Sequence, residues 1–478
     1  MSKNKILFYS ISLLFIAINL VLIVYDTYYF AFLPLILIFL LAGFVSLDKV
    51  ILSIVFFTPL SIRLDYIVPN IPVNLYLPTE PLLLGTLCLF IFKLLLDGKF
   101  DRKIILHPVS IAIYINLIWI FLTSFTSTMP GVSFKFLLSR LWFIVAMYFL
   151  AAQIFKQYKY IETFHWLYIA SLIIVVFYTN IRLSGYGLNN QAASNWVVWP
   201  FFTDHTSYGA MLVMFLFPLF YFLIRKNKNL LSLVLTSTVF IVFSIGIVLS
   251  YTRAAWLSLF AAIGLWIVIK LGIKIRYILI AGISMVLLFF ALQQRILDSL
   301  EQNETESSGK FSEHIESMAN ITTDASNMER INRWKCAIRM FKEKPFWGWG
   351  PGTYKFQYGP FQMSYDRTKI STNFGDLGNA HSEYLGALSE SGVIGMLSLI
   401  LVIFMAFKTG YKVYHQTNSK EVKDFTLYII LGLSTYFIHG VLNNFLDTDK
   451  ASVPVWGFIA MLVAMDVYHK DSKEINQD

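Results

Sequence analysis

The chain has 478 residues, of which 57% are hydrophobic, 17% aromatic and only 14% charged, with a formal net charge of +9. Soluble domains carry about 25% charged residues, so a water-soluble fold is excluded: it could not hide this much apolar surface. A nucleic-acid partner is not implied either, because most of the basic residues sit in short gaps between apolar runs, where they act as an orientation signal in a membrane.

Lys3 and Lys5 precede the first apolar run, and no small-x-small cleavage site follows it, so the run reads as a span and not as a removable leader. Runs suited to a hydrocarbon core of about 30 Å recur near 6–24, 28–46, 50–64, 80–97, 108–128, 133–155, 161–182, 206–224, 230–250, 254–270, 277–292, 384–407, 425–445 and 452–468. The expected fold is therefore all-α and polytopic, with about 12–14 transmembrane helices. The run at 50–64 is the weakest, being broken by Pro59 and ended by Arg63 and Asp65. Cys88 lies in an apolar run and Cys336 in a polar segment, which implies neither a disulfide nor a zinc framework.

Lysines and arginines at 99–103, 156–159, 225–228, 270–276 and 408–423 alternate correctly if both termini are cytoplasmic. The loops at 25–27, 65–79, 129–132, 183–205, 251–253, 293–383 and 446–451 then share the opposite, periplasmic side. This gives three parts: a first bundle at 1–292, a periplasmic loop with helices at 293–383, and a last bundle at 384–478.

The loop is the one long polar stretch. Residues 299–327 are rich in Ser, Thr, Asn and Glu and read as a polar spacer. From Met328 the period changes: Ile331, Trp334, Ala337, Ile338 and Phe341 share one face of a helix at 100° per residue. Arg330 falls beside that stripe and Arg339 opposite it, so Arg330 is expected to point inward and Arg339 to be exposed. The run Pro345-Phe346-Trp347-Gly348-Trp349-Gly350-Pro351-Gly352 follows; no strand precedes it, so it reads as a bend with interfacial tryptophans and not as a nucleotide fingerprint.

Four motifs in order, Ser250-Tyr251-Thr252-Arg253 opening a span, Arg330-x3-Trp334-x2-Ala337, Pro345-x2-Gly348-x-Gly350, and His381-x2-Tyr384-Leu385 with Glu390-x-Gly392-x2-Gly395, resemble the O-antigen ligase and polymerase superfamily over about residues 200–410. The resemblance implies a GT-C-like glycosyltransferase of the bacterial inner membrane. Its donor would be a glycan on undecaprenyl diphosphate, and its acceptor the lipid A core, another glycan or a protein. It places the family's two arginines at Arg253 and Arg330 and its loop histidine at His381.

Such a transfer needs a stabilised diphosphate leaving group and a base for the attacking hydroxyl. Arginine pairs with phosphate oxygens bidentately, which suits Arg253 and Arg330, with Arg333 as second choice on the same helix and Arg140 as an intramembrane candidate. His381 suits the base, because its ordinary pKa of about 6.5 lies near neutrality. Glu383 could orient that imidazole or an acceptor. Asp204, His205 and Tyr208 open another span and offer substrate contacts, although Asp204 is first of all a cap. Trp196 and Trp199 could stack on sugar rings or belong to the interfacial belt. The pair Asp447 and Asp449 reads as a chance match for a metal site; no metal or cofactor is expected, and the protein is expected to act as a monomer among membrane lipids. Ligase, polymerase and protein oligosaccharyltransferase remain open as readings. A glycolipid flippase or transporter is the competitor from another class, and would carry its charges at the bilayer midplane.

Overall fold

The computed structural model describes residues 3–24, 46–67, 75–97, 100–225, 229–273, 277, 280, 284, 325–368, 371–372 and 378–471. Nearly all of the expected spans at 28–46 and 277–292, and of the spacer at 299–327, lies outside these residues.

The described residues form α1 (Lys3–Val24), α2 (Leu47–Phe57), a two-strand ladder of β1 (Ile62–Arg63) and β2 (Tyr76–Leu77), then α3 (Thr79–Asp97), α4 (Pro108–Phe125), α5 (Pro130–Ile154), α6 (Tyr158–Tyr186), α7 (Gln191–Val197), α8 (His205–Ile224), α9 (Leu230–Leu249), α10 (Arg253–Lys270), α11 (Ala325–Glu343), α12 (Glu383–Gln416), α13 (Lys420–His439) and α14 (Asp449–His469). Nine helices among the described residues are long and apolar enough to cross a membrane, which makes the chain an all-α polytopic membrane protein. The weak run at 50–64 is not one of them. Its helix lasts 11 residues, because Pro59 has no amide hydrogen to extend it, and the chain turns through a 3₁₀ segment into β1.

Helices α8 and α14 lie at the centre, with 78% and 83% of their membrane windows enclosed, against 22% for α9 and α10. Aromatic residues fill the middle: Tyr168 of α6 stacks on Phe215 of α8 at 4.2 Å between centroids, and Phe215 meets Phe458 of α14 at 5.2 Å.

Connections sort cleanly to two ends. At one end Tyr468 bonds Asp101, Arg225 pairs with Glu162 and Glu421, and Lys412 pairs with Asp466. At the other, Thr252 Oγ1 donates to His205 O at 2.8 Å, Tyr251 to Leu188 O at 2.9 Å, and Thr128 Oγ1 to Trp349 O at 2.8 Å.

The Pro345–Gly352 run is more than an interfacial bend. Helix α12 is broken at Gly392, whose φ of 68° is open to glycine but strained for other residues, and the run lies in the break. Trp349 N donates to Ser389 O, Gly350 N to Glu390 O at 2.8 Å, and Val393 N to Pro345 O at 3.0 Å. A Cβ on Gly392 would come within 2.0 Å of Phe346 O. Trp347 stacks on Trp119 of α4 at 5.2 Å, so the loop is bolted to two spans.

Candidate active site

Helix α11 buries a different face from the one its apolar period marks. Glu329, Asn332, Arg333, Cys336, Ala337 and Met340 are buried, whereas Ile331, Trp334, Ile338 and Phe341 are half-buried. Residues 354–368, 371 and 372 wrap the helix and satisfy its polar groups. Asn332 Nδ2 donates to Gln362 Oε1 at 2.9 Å, and Glu329 accepts from Arg333 Nε at 2.6 Å and from Thr368 at 3.0 Å. Arg339, expected to be exposed, instead pairs with Asp366 and donates to Phe361 O at 2.8 Å. Lys335 reaches the same carboxylate at 2.7 Å.

Arg333 is only 3% exposed. Its guanidinium is held by Glu329 and Thr372 and lies 3.8 Å over the ring of Tyr358. Gly378 passes so close that a Cβ there would meet Arg333 Nη1 at 2.3 Å. These contacts make Arg333 a strut of the loop. Arg330, half-buried one position round, donates to Asn327 Oδ1 at 2.9 Å, and its charge acts on His205, His381 and His439.

His381 has a left-handed backbone, φ 47°, uncommon for a residue with a Cβ and a mark of functional sites when the surroundings hold it. They do so through its amide, which donates to Asn379 Oδ1 at 3.0 Å, and its carbonyl, which accepts from Trp334 Nε1 at 3.1 Å. Burial, and then the charges of Arg330 and Arg333, push the imidazole down to about 4, so it is neutral at physiological pH. Glu329 is pushed up by burial, but hydrogen bonds from Ser371 and Arg333 hold it below the usual carboxylate range.

Two helix starts complete the cluster. Asp204 caps α8, its Oδ1 accepting from Ser207 N at 2.8 Å and from Thr206 Oγ1 at 2.5 Å, and so serves the fold first. His205 follows it, within range of the charges of Arg330 and Arg253. Tyr251, at φ 49°, turns the chain so that Arg253 begins α10 beside this point. His439, at the end of α13 and 1% exposed, accompanies them: it bonds Asn443 at 3.0 Å and lies within range of Arg330, Asp204 and His205. The sequence reading missed His439, although a histidine near the end of an apolar run is a signal of the kind that singled out His205.

The other candidates go elsewhere. Tyr208 is fully buried, with its ring against Phe202 at 5.6 Å, and is a core residue. Trp196 packs on Tyr186 and Trp199 on Tyr66, both partly exposed in the 183–205 loop. Glu383 does not orient His381: its Oε1 accepts from Tyr436 at 2.7 Å and from the amides of Phe445 and Leu446 at 2.8 Å. Its own amide donates to Gly440 O at 2.8 Å and so fastens the His381 loop to the end of α13. Arg140 pairs with Asp447 at 2.8 Å and donates to Leu446 O at 3.1 Å. It lines a cavity of about 60 Å³ together with Glu383, Glu390, Asn444, Asp447 and Trp456, too small for a diphosphate with its sugar. Asp449 turns away from Asp447 to accept from Ser61 and Thr79 at 2.5 Å, so the two do not converge on one ion.

Residues 238–400 match the O-antigen ligase family, a stretch that contains Arg253, Arg330 and His381. This match supports an O-antigen ligase and polymerase type of domain at residues 238–400. No curated protein matches the chain. That family implies a membrane glycosyltransferase-type enzyme with glycan or lipid-linked substrates. His205 and His439 lie outside the matched residues of this O-antigen ligase domain, and the fold adds them to its charged cluster.

Proposed function

We propose that this O-antigen ligase relative transfers a glycan from undecaprenyl diphosphate to a hydroxyl of the lipid A core, at the periplasmic face of a bacterial inner membrane. The observation that supports it best is the gathering of Arg253, Arg330 and His381, from three separate segments, into one charged cluster at the end where the long loop folds back. Both termini are then cytoplasmic.

In this reading His381 takes the proton of the acceptor hydroxyl. The hydroxyl oxygen forms a bond to the anomeric carbon, and the bond from that carbon to the diphosphate oxygen breaks with its electron pair leaving on the diphosphate. Arg253 and Arg330 hold that charge, which needs no metal in this scheme, and direct displacement inverts the anomeric carbon. Arg333 keeps the lid helix in register beside them. A neutral imidazole is the form that can accept a proton. The polar groups lie at one end of the bundle, which favours an enzyme over a transporter with charges at midspan.

The test is deletion of the gene, complemented by wild type or His381→Ala and read on separate gels for lipopolysaccharide and glycoprotein. Loss of polymer from lipopolysaccharide with carrier-linked polymer retained is expected in both the deletion and the variant. Altered chain length would indicate a polymerase, and loss of glycoprotein a protein oligosaccharyltransferase. Full transfer by His381→Ala would overturn the assignment of the base.

A further inference from the structure

We infer that a lysine-lined pocket at the end of the bundle away from His381 holds the headgroup of an anionic phospholipid. Lys270 closes α10, and Lys420, Lys423 and Asp424 stand near the start of α13. With Tyr414 of α12 and the 417–419 turn they line a cavity of about 540 Å³. That volume lies within the range of small-molecule sites, roughly 300–1,000 Å³.

Three lysines and one aspartate give the pocket an excess of positive charge. Other cations at this end are matched: Arg225 by Glu162 and Glu421, Lys412 and Lys470 by Asp466. Among the described residues no carboxylate comes within ion-pair distance of Lys270, Lys420 or Lys423, and Lys423 Nζ instead lies 5.0 Å over the ring of Tyr414. A phosphate diester neutralises this charge, whereas the cationic group of a zwitterionic headgroup would meet its like.

The surface beside the pocket points to a lipid over a soluble anion. Phe260, Ile263, Ile267 and Leu271 are exposed along one side of α10, a helix with only 22% of its membrane window enclosed. Lys270 falls within about 20° of Ile263 on the helical wheel, so this apolar stripe leads to the pocket. From Phe260 to Lys270 the helix rises about 15 Å, half of a hydrocarbon core of about 30 Å. An acyl chain of one leaflet can therefore lie along the stripe while its headgroup occupies the lysines.

The site also has a place in the bundle. Arg253 opens α10, His381 stands just before α12 and His439 closes α13, so the helices that meet at the pocket are those whose other ends form the charged cluster. A lipid seated in the pocket cross-links the far ends of the cluster's supports.

The experiment is native mass spectrometry of the full chain, titrated with phosphatidylglycerol or phosphatidylcholine carrying the same acyl chains. Phosphatidylglycerol is expected to bind more tightly. Lys270→Gln, Lys420→Gln and Lys423→Gln, made separately, should each weaken it about fivefold, the worth of one lysine beside an anionic lipid. Lys408→Gln removes an exposed lysine of α12 outside the pocket and should leave binding unchanged. Glycerol 3-phosphate, which has the phosphate without acyl chains, should not displace the lipid at equal concentration. Equal binding of the two lipids, pocket variants that bind as wild type does, or Lys408→Gln weakening binding as much as they do overturns the site. Displacement by glycerol 3-phosphate overturns the lipid as its occupant. None of these readouts depends on glycan transfer.

Discussion

The pH dependence of transfer follows from where His381 sits. With the donor absent, burial and the charges of Arg330 and Arg333 hold the imidazole at about 4. Against an ordinary value of about 6.5, this disfavours its protonated form by at most about 3 kcal/mol. The acid limb of kcat/KM, which reports the free enzyme, is therefore expected near pH 4. A bound diphosphate sets negative charge against the same arginines, so the limb of kcat, which reports the complex, should move up toward about 6.5. Arg330→Gln removes the second cause and leaves the first, and should raise the kcat/KM limb part of the way. The stability sign is also fixed. The folded pKa lies below the unfolded one, so nothing is lost above about pH 6.5, and stability falls by up to about 3 kcal/mol as the pH drops toward 4. The assay is transfer from a fluorescent lipid-linked glycan by protein in nanodiscs, from about pH 4 to about pH 8. A wild-type kcat/KM limb at or above 6.5, or a limb unmoved by Arg330→Gln, would refute the reasoning.

Arg253→Lys keeps the charge and loses the planar fork, so donor KM should rise about tenfold with the acceptor KM unchanged, measured in the same assay. Glu329→Gln takes the carboxylate from buried Arg333, and an unpaired buried charge costs about 3–5 kcal/mol. The expected result is a lowered unfolding temperature and earlier proteolysis within α11, with the sign checked by thermal melts in nanodiscs.

Much of the bundle was legible because a bilayer requires long apolar runs, and so were the places of Arg253 at a helix start and of His381 just before α12. The face of α11 was not, because periodicity counts apolar residues, whereas Asn332 and Arg333 are buried by polar partners thirty to forty residues away. Arg140 and Glu383 were misplaced for the same reason: their partners, Asp447, Tyr436 and the amides at 445–446, come from elements joined only in the fold. His439 needed α13 to be laid against the starts of α8 and α10 before it meant anything.

The break in α12 bears on how the protein is made. Ser389 and Glu390 carbonyls and the Val393 amide have lost their helical partners and find them in the Pro345–Gly352 run. Inside a membrane each unsatisfied group of this kind costs several kcal/mol, so the span cannot settle at its final depth as a lone segment. The run precedes α12 in the chain and is synthesised first. Integration of α12 is therefore coupled to capture by that run, and a lesion in the aromatic–glycine run should surface as a failure of insertion before it surfaces as a failure of catalysis.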